Sequence, residues 1–306
     1  MMAPGNTTIL AAIWKGSSNH RHRCKVIVAI CLWLIMASVS GEGEDWSKCP
    51  RECRCKWISG KRTAECQNNR LSSLPKFPMP DKIQVLHMNG NPLSMLPDKA
   101  FVKTGLINVQ KAYLSNCSLT EVHPGAFSEL VILIELDLSN NELKSLHPGT
   151  FEGNIRIRKL WLTNNPIRSF PRSFIFPDMP HLRILDLSHG FLTRLGRSLF
   201  ARLQYLEVLH LNHNRFHRLD KRTFIPVKSL KSLTLEGNPW HCDCRLQDFW
   251  KWVMINTLFN KVYLKFLYPC HLYCRIILRH TFTIICIIYF LFTLSSANGL
   301  FNTFKT

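Results

Sequence analysis

One pattern constrains this chain more than any other. The template L-x-x-L-x-L-x-x-N-x-L, with other aliphatic residues standing in for leucine, begins at Ile83, Val109, Leu133, Ile157, Leu182, Leu206 and Leu230. The intervals are 26, 24, 24, 25, 24 and 24 residues. A period of this length marks a stack of like units. Within each unit, L-x-L alternates with period two, which describes a short strand with one face turned inward. A lone strand cannot bury that face. Successive copies therefore pile up into a parallel sheet over a shared core.

The template resembles the leucine-rich repeat, so the expected fold is an α/β leucine-rich-repeat solenoid. It would have a curved parallel sheet on its concave face, short loops and turns on its convex face, and disulfide-bonded caps. In repeats of this kind the asparagine amide hydrogen-bonds backbone groups of adjacent coils and satisfies what the turn would otherwise bury. Cys117 takes that position in the second repeat and Gly190 in the fifth. Cys117 reads as a buried thiol. Gly190 makes no side-chain bond, which predicts a local soft spot. The convex side repeats too: His123-Pro124-Gly125-Ala126-Phe127 and His147-Pro148-Gly149-Thr150-Phe151 share their offsets. Proline and glycine punctuate a turn there, and phenylalanine plugs the core behind it.

An open solenoid needs covering at both ends. Cys49, Cys53, Cys55 and Cys66 fall close together and resemble the N-terminal cysteine cap of extracellular leucine-rich-repeat proteins. That resemblance implies the pairs Cys49–Cys55 and Cys53–Cys66. Zinc is the rival reading, but oxidising conditions and the lack of a C-x-x-C pair weigh against it. At the other end, Asn238-Pro239-Trp240-His241-Cys242-Asp243-Cys244 resembles the opening of a C-terminal cap. Leu246, Phe249, Trp250 and Trp252 follow with helical spacing and would seal the last coil. The partners of Cys242 and Cys244 are not readable.

The compartment follows from the N-terminus. Arg21, Arg23 and Lys25 precede the apolar run 26–37, and small residues follow. That is the layout of a secretory signal peptide over 1–40, with a signal anchor as the alternative. The expected order is then an N-terminal cap over 49–82, seven repeats over 83–237, the start of a C-terminal cap over 238–253, and a divergent hydrophobic tail over 254–306. No acidic residue occurs in that tail, and residues 281–304 carry no charge at all. A membrane tether and an unstructured or artefactual end stand as equal alternatives for it. Asn116-Cys117-Ser118 is a sequon with a disfavoured middle residue, so glycosylation at Asn116 is a weak reading.

From Cys49 to about Val253 the chain resembles the insect kekkon family of surface proteins. The resemblance is carried by Cys53-Arg54-Cys55-Lys56-Trp57-Ile58-Ser59-Gly60-Lys61, by Leu136-Asp137-Leu138-Ser139-Asn140-Asn141, and by the run from Lys228 to Leu235 leading into the second cysteine cluster. It implies a single-pass protein with an immunoglobulin domain after the repeats. Here no Cys…Trp…Cys immunoglobulin spacing follows Val253. A truncated isoform, or translated intron, is the reading of that departure.

Side chains between the inward leucines project onto the concave face. Across the strands they are His87, Tyr113, Asp137, Trp161, Asp186, His210 and Thr234, with Lys111, Glu135, Lys159 and Arg158 in neighbouring rows. Large aromatics on a rigid surface serve as interface anchors, so Tyr113 and Trp161 beside Asp137 point to protein binding. A net charge of +19 reads first as a solvated basic surface, with anionic partners such as sulfated glycans or acidic ectodomains as the alternative. No nucleic-acid arm is present, since basic residues are spread along the chain. No G-x-S-x-G elbow, phosphate loop or H-E-x-x-H occurs either. The sequence therefore predicts a non-enzymatic extracellular binding protein, without cofactor or metal, acting in cell-surface adhesion or receptor modulation. A secreted matrix-type or decoy form is the alternative.

Overall fold

The structure, a computed structural model, describes residues 49–77, 83–171, 174–241, 247–258 and 263–265. The signal segment, Cys242, Cys244 and Leu246, and the candidate span 281–304 lie outside them. Among the described residues no helix is long and apolar enough to cross a membrane.

Among the described residues twelve strands follow in chain order: β1 (Arg54–Ile58), β2 (Lys61–Glu65), β3 (Val85–His87), β4 (Met95–Leu96), β5 (Lys111–Tyr113), β6 (Glu121–Val122), β7 (Glu135–Asp137), β8 (Lys159–Trp161), β9 (Ile184–Asp186), β10 (Val208–His210), β11 (Ser232–Thr234) and β12 (Tyr263–Lys265). Ten of them form one sheet in the order β1-β2-β3-β5-β7-β8-β9-β10-β11-β12, while β4 and β6 pair by themselves on the other side of the coils. The seven repeat strands pair in parallel and in strict register, so equivalent positions of the template lie side by side. The leucine-rich-repeat solenoid is the fold.

Each strand is only three residues long because the template grants it one L-x-L. The central leucine points inward: Leu86, Leu136, Leu160, Leu185, Leu209 and Leu233 are fully buried, and Ala112 replaces leucine in the second repeat. The asparagines close the turn after the strand. Asn141 donates from Nδ2 to the Leu114 and Leu138 carbonyls and accepts at Oδ1 from the Cys117 and Leu119 amides. Asn91, Asn165, Asn214 and Asn238 bond their neighbouring coils in the same way. Cys117 is buried and free, and its thiol donates to the Met88 carbonyl at 3.3 Å, where an amide would otherwise sit. At Gly190 the neighbours close in. A Cβ there would lie 2.8 Å from Asn214 Oδ1 and 3.2 Å from the Asn165 carbonyl, so no room for a side chain is left.

On the convex side, phenylalanines stack from coil to coil. Phe101, Phe127, Phe151, Phe176, Phe200 and Phe224 form a continuous buried ladder with centroid spacings between 5.6 and 6.4 Å. The turns there contain little regular structure: one helical turn, α1 (Ala100–Lys103), and a 3-10 turn at Lys221–Thr223.

Both ends are covered. β1 and β2 form an antiparallel hairpin whose second strand adds in parallel to β3. Ser59 and Gly60, both at positive φ, make its two-residue turn. The Cys-Lys-Trp-Ile-Ser-Gly-Lys stretch is thus the cap hairpin itself. Disulfides Cys49–Cys55 and Cys53–Cys66 pin it, in the pairing that the resemblance implies. At the far end, α2 (Gln247–Leu258) places Phe249 and Trp252 each 5.5 Å from Phe224, ending the ladder. β12 then pairs in parallel with β11, so the sheet continues past the change of composition at Val253.

Candidate functional site

The period-two alternation that buries the leucines also sets what faces away from them. Register brings His87, Tyr113, Asp137, Trp161, Asp186, His210 and Thr234 into one row across seven adjacent strands. All but Thr234, which is buried, are half-buried. Successive side chains stand about 4.8 Å apart, the spacing of paired strands. They form one continuous strip.

The strip is tied together by side-chain contacts. His87 stacks on Tyr113 with centroids 4.8 Å apart. The Tyr113 hydroxyl donates to Glu135 Oε2 at 2.9 Å, while Lys111 and Lys159 each approach Glu135 Oε1 at 3.3 Å. Lys159 also lies over the Trp161 ring, 5.7 Å from its centroid. One buried carboxylate thereby orients two lysines and a tyrosine, and one of those lysines covers the tryptophan. Arg158 is exposed at the border of this group. Asp137 and Asp186 each accept the backbone amide two residues on, at 2.9 Å, which fixes their rotamers. His210 contacts Thr234 Oγ1 at 3.0 Å through Nδ1.

These contacts shift protonation. Burial acts on Glu135 to raise its pKa, but the hydrogen bonds from Tyr113, Lys111 and Lys159 outweigh it and hold the carboxyl below the ordinary glutamate value. Burial, then the bond to Glu135 and its charge, push Tyr113 well above the usual phenol range. Burial lowers His87, opposed by Glu65, so the imidazole is favoured as the neutral ring. Burial also raises the Cys117 thiol, which keeps it protonated and unsuited to nucleophilic attack. Among the described residues no three His, Cys, Asp or Glu side chains are set to hold a metal ion. The surface offers rigid aromatic, cationic and carboxylate groups for contact.

A second feature was not anticipated from the sequence. The residue before each asparagine position sits in the left-handed region: Gly90, Asn116, Asn140, Asn164, His189, His213 and Gly237 all have positive φ. Turning the chain there throws their side chains onto one edge of the sheet. Asn164 donates to Asn140 Oδ1 at 2.8 Å, and His189 stacks on His213 at 4.4 Å. An open groove of about 600 Å³ runs along this edge between Asn116 and Phe191. The doublets Asn140-Asn141 and Asn164-Asn165 were the available signal. Asn116, the sequon residue, is exposed on this edge while the Cys117 beside it is buried.

Residues 107–167 and 180–239 match the leucine rich repeat family. Those segments are leucine-rich repeats. The chain is 36% identical over 92 residues to the trophoblast glycoprotein of Macaca fascicularis, a stretch that covers 30% of this chain and 21% of that protein. It therefore spans only about a fifth of the length of that relative. A crystal structure of human trophoblast glycoprotein, also titled Wnt-activated inhibitory factor 1, aligns over 72% of this chain and 93% of its own length. The identity there is 29% and the TM-score 0.49. Leucine-rich repeats generally serve as non-enzymatic scaffolds for protein–protein contact.

Proposed function

We propose that the chain is an extracellular, non-enzymatic protein whose leucine-rich repeats bind a protein ligand or receptor ectodomain on the concave face. The row from His87 to His210 is the contact surface, with Tyr113 and Trp161 as anchors. The observation that carries this is the pre-ordered strip itself. Glu135, Lys111, Lys159 and Tyr113 hold one another in place before any partner arrives, so little rotamer entropy remains to be lost on binding. The disulfide-pinned cap and the leader-like N-terminus support an exported protein. The kekkon resemblance supports adhesion or modulation of receptor signalling at the cell surface, with residues 281–304 as the tether. A secreted, matrix-type or decoy form is the second reading. Anionic glycans are additional partners on charge grounds.

A panel of recombinant ectodomains screened with the tagged full chain tests the proposal. Once a partner is found, Trp161→Ala should weaken it by about 2 kcal/mol. Ile155→Ala, on an exposed convex residue, should leave it unchanged. Equal affinities for the wild type and Trp161→Ala would remove the concave row as the site. Surface biotinylation against collection of the medium separates the tethered from the secreted form.

A further inference from the structure

Charge is not shared evenly between the coils. Residues 107–167 hold five basic and six acidic side chains, whereas residues 168–241 hold twelve and five. The fold gathers part of this excess on one flank. Arg194 and Arg218 occupy the same offset, four residues after the asparagine position, in successive repeats, so they stand on adjacent coils. Lys221 and Arg222 follow on the turn behind Arg218. Together these four cations line a groove of about 400 Å³, with Leu195 and Leu219 between them.

Two carboxylates also border the groove, Asp220 and Asp248. Asp220 is engaged from both sides, by Arg197 Nε at 2.8 Å and by the Arg222 amide at 2.9 Å.

We propose that this flank groove binds a sulfated polysaccharide, independently of the concave face. Guanidinium forks match the oxygens of a sulfate in pairs, and cations repeating from coil to coil suit a polyanion with regularly spaced sulfates. Nucleic acid fits less well. Among the described residues the one aromatic lining the groove, Phe249, is buried, so they present no ring for a base to stack on. The inference rests on the anionic-glycan reading of the proposed function, gives it a site, and is separate from the protein contact on the concave face.

The test is titration of the full chain with a defined heparin oligosaccharide near physiological salt. Arg194→Gln combined with Arg222→Gln should weaken binding about tenfold or more. Lys144→Gln with Arg156→Gln removes the same charge from the first half and should change affinity little. Equal losses from both pairs would mean that net charge alone is read, and would overturn the groove. Equal binding of desulfated heparin, or of a single-stranded DNA oligonucleotide, would overturn the sulfated ligand. If the glutamine pair lowers the unfolding temperature, Arg194→Lys with Arg222→Lys decides: with the charge kept and the forks lost it must bind more tightly than the glutamine pair and less tightly than wild type, and no gain over the glutamine pair counts against the proposal. Trp161→Ala should retain heparin binding, so loss of one site leaves the other to be judged alone.

Discussion

The side chain of Asn141 shows what the asparagine does in the five repeats that carry it. Its amide and carbonyl join backbone groups of two coils inside the core, where no water can replace them. Asn141→Ala should therefore cost about 3 kcal/mol in chemical denaturation, the penalty of stranding buried peptide groups. Gly190 makes the opposite point, because a methyl there meets the Asn214 carbonyl oxygen. Gly190→Ala should destabilise by about 1–2 kcal/mol, and a stabilised variant would refute the tight packing described. Glu135 supplies a pH signature. Its folded pKa lies below the ordinary value, so its stabilising effect is full above the unfolded pKa of about 4.3 and is lost as pH falls through the folded value. The unfolding temperature of Glu135→Gln should thus lie below wild type at pH 7, with the gap closing as pH falls below the ordinary glutamate range. A gap independent of pH would contradict the arrangement.

At the scale of elements, the phenylalanine ladder and the cysteine cap do the work of holding coils in line. Phe151 packs between Phe127 and Phe176 with no exposure, so Phe151→Ala should cost about 4 kcal/mol in the same denaturation assay, as a cavity opens on both sides. The strands and the inward leucines were legible in the sequence because alternation and a 24-residue interval encode them directly. So was the row from His87 to His210, which follows from the leucines by elimination. Phe127 and Phe151 could be read as core plugs. The hub at Glu135 could not be read, since Tyr113, Lys111 and Lys159 reach it from strands about 24 residues away and only register brings them together. The left-handed row escaped because Gly, Asn and His share a backbone conformation there rather than a hydrophobicity. Nor did the change of composition at Val253 reveal that β12 extends the sheet, because three residues carry no periodic signal.

For the whole molecule, stacking converts one short motif into surfaces of different character: a concave strip of aromatics and carboxylates, an amide-lined edge, and a basic flank on the later coils. The strip asks least of a partner, because its side chains are already held by one another. Trp57 and Tyr205 lie elsewhere, on the cap hairpin and beside the last coils, with 51% and 53% of their surface exposed. They are internal references for a footprint. Hydroxyl-radical footprinting of the full chain, with and without an ectodomain selected in the proposed screen, reads the contact directly. The account predicts that oxidation of Trp161 and Tyr113 falls several-fold in the complex while Trp57 and Tyr205 react as before. Protection of Trp57 or Tyr205 with Trp161 unaffected would contradict it.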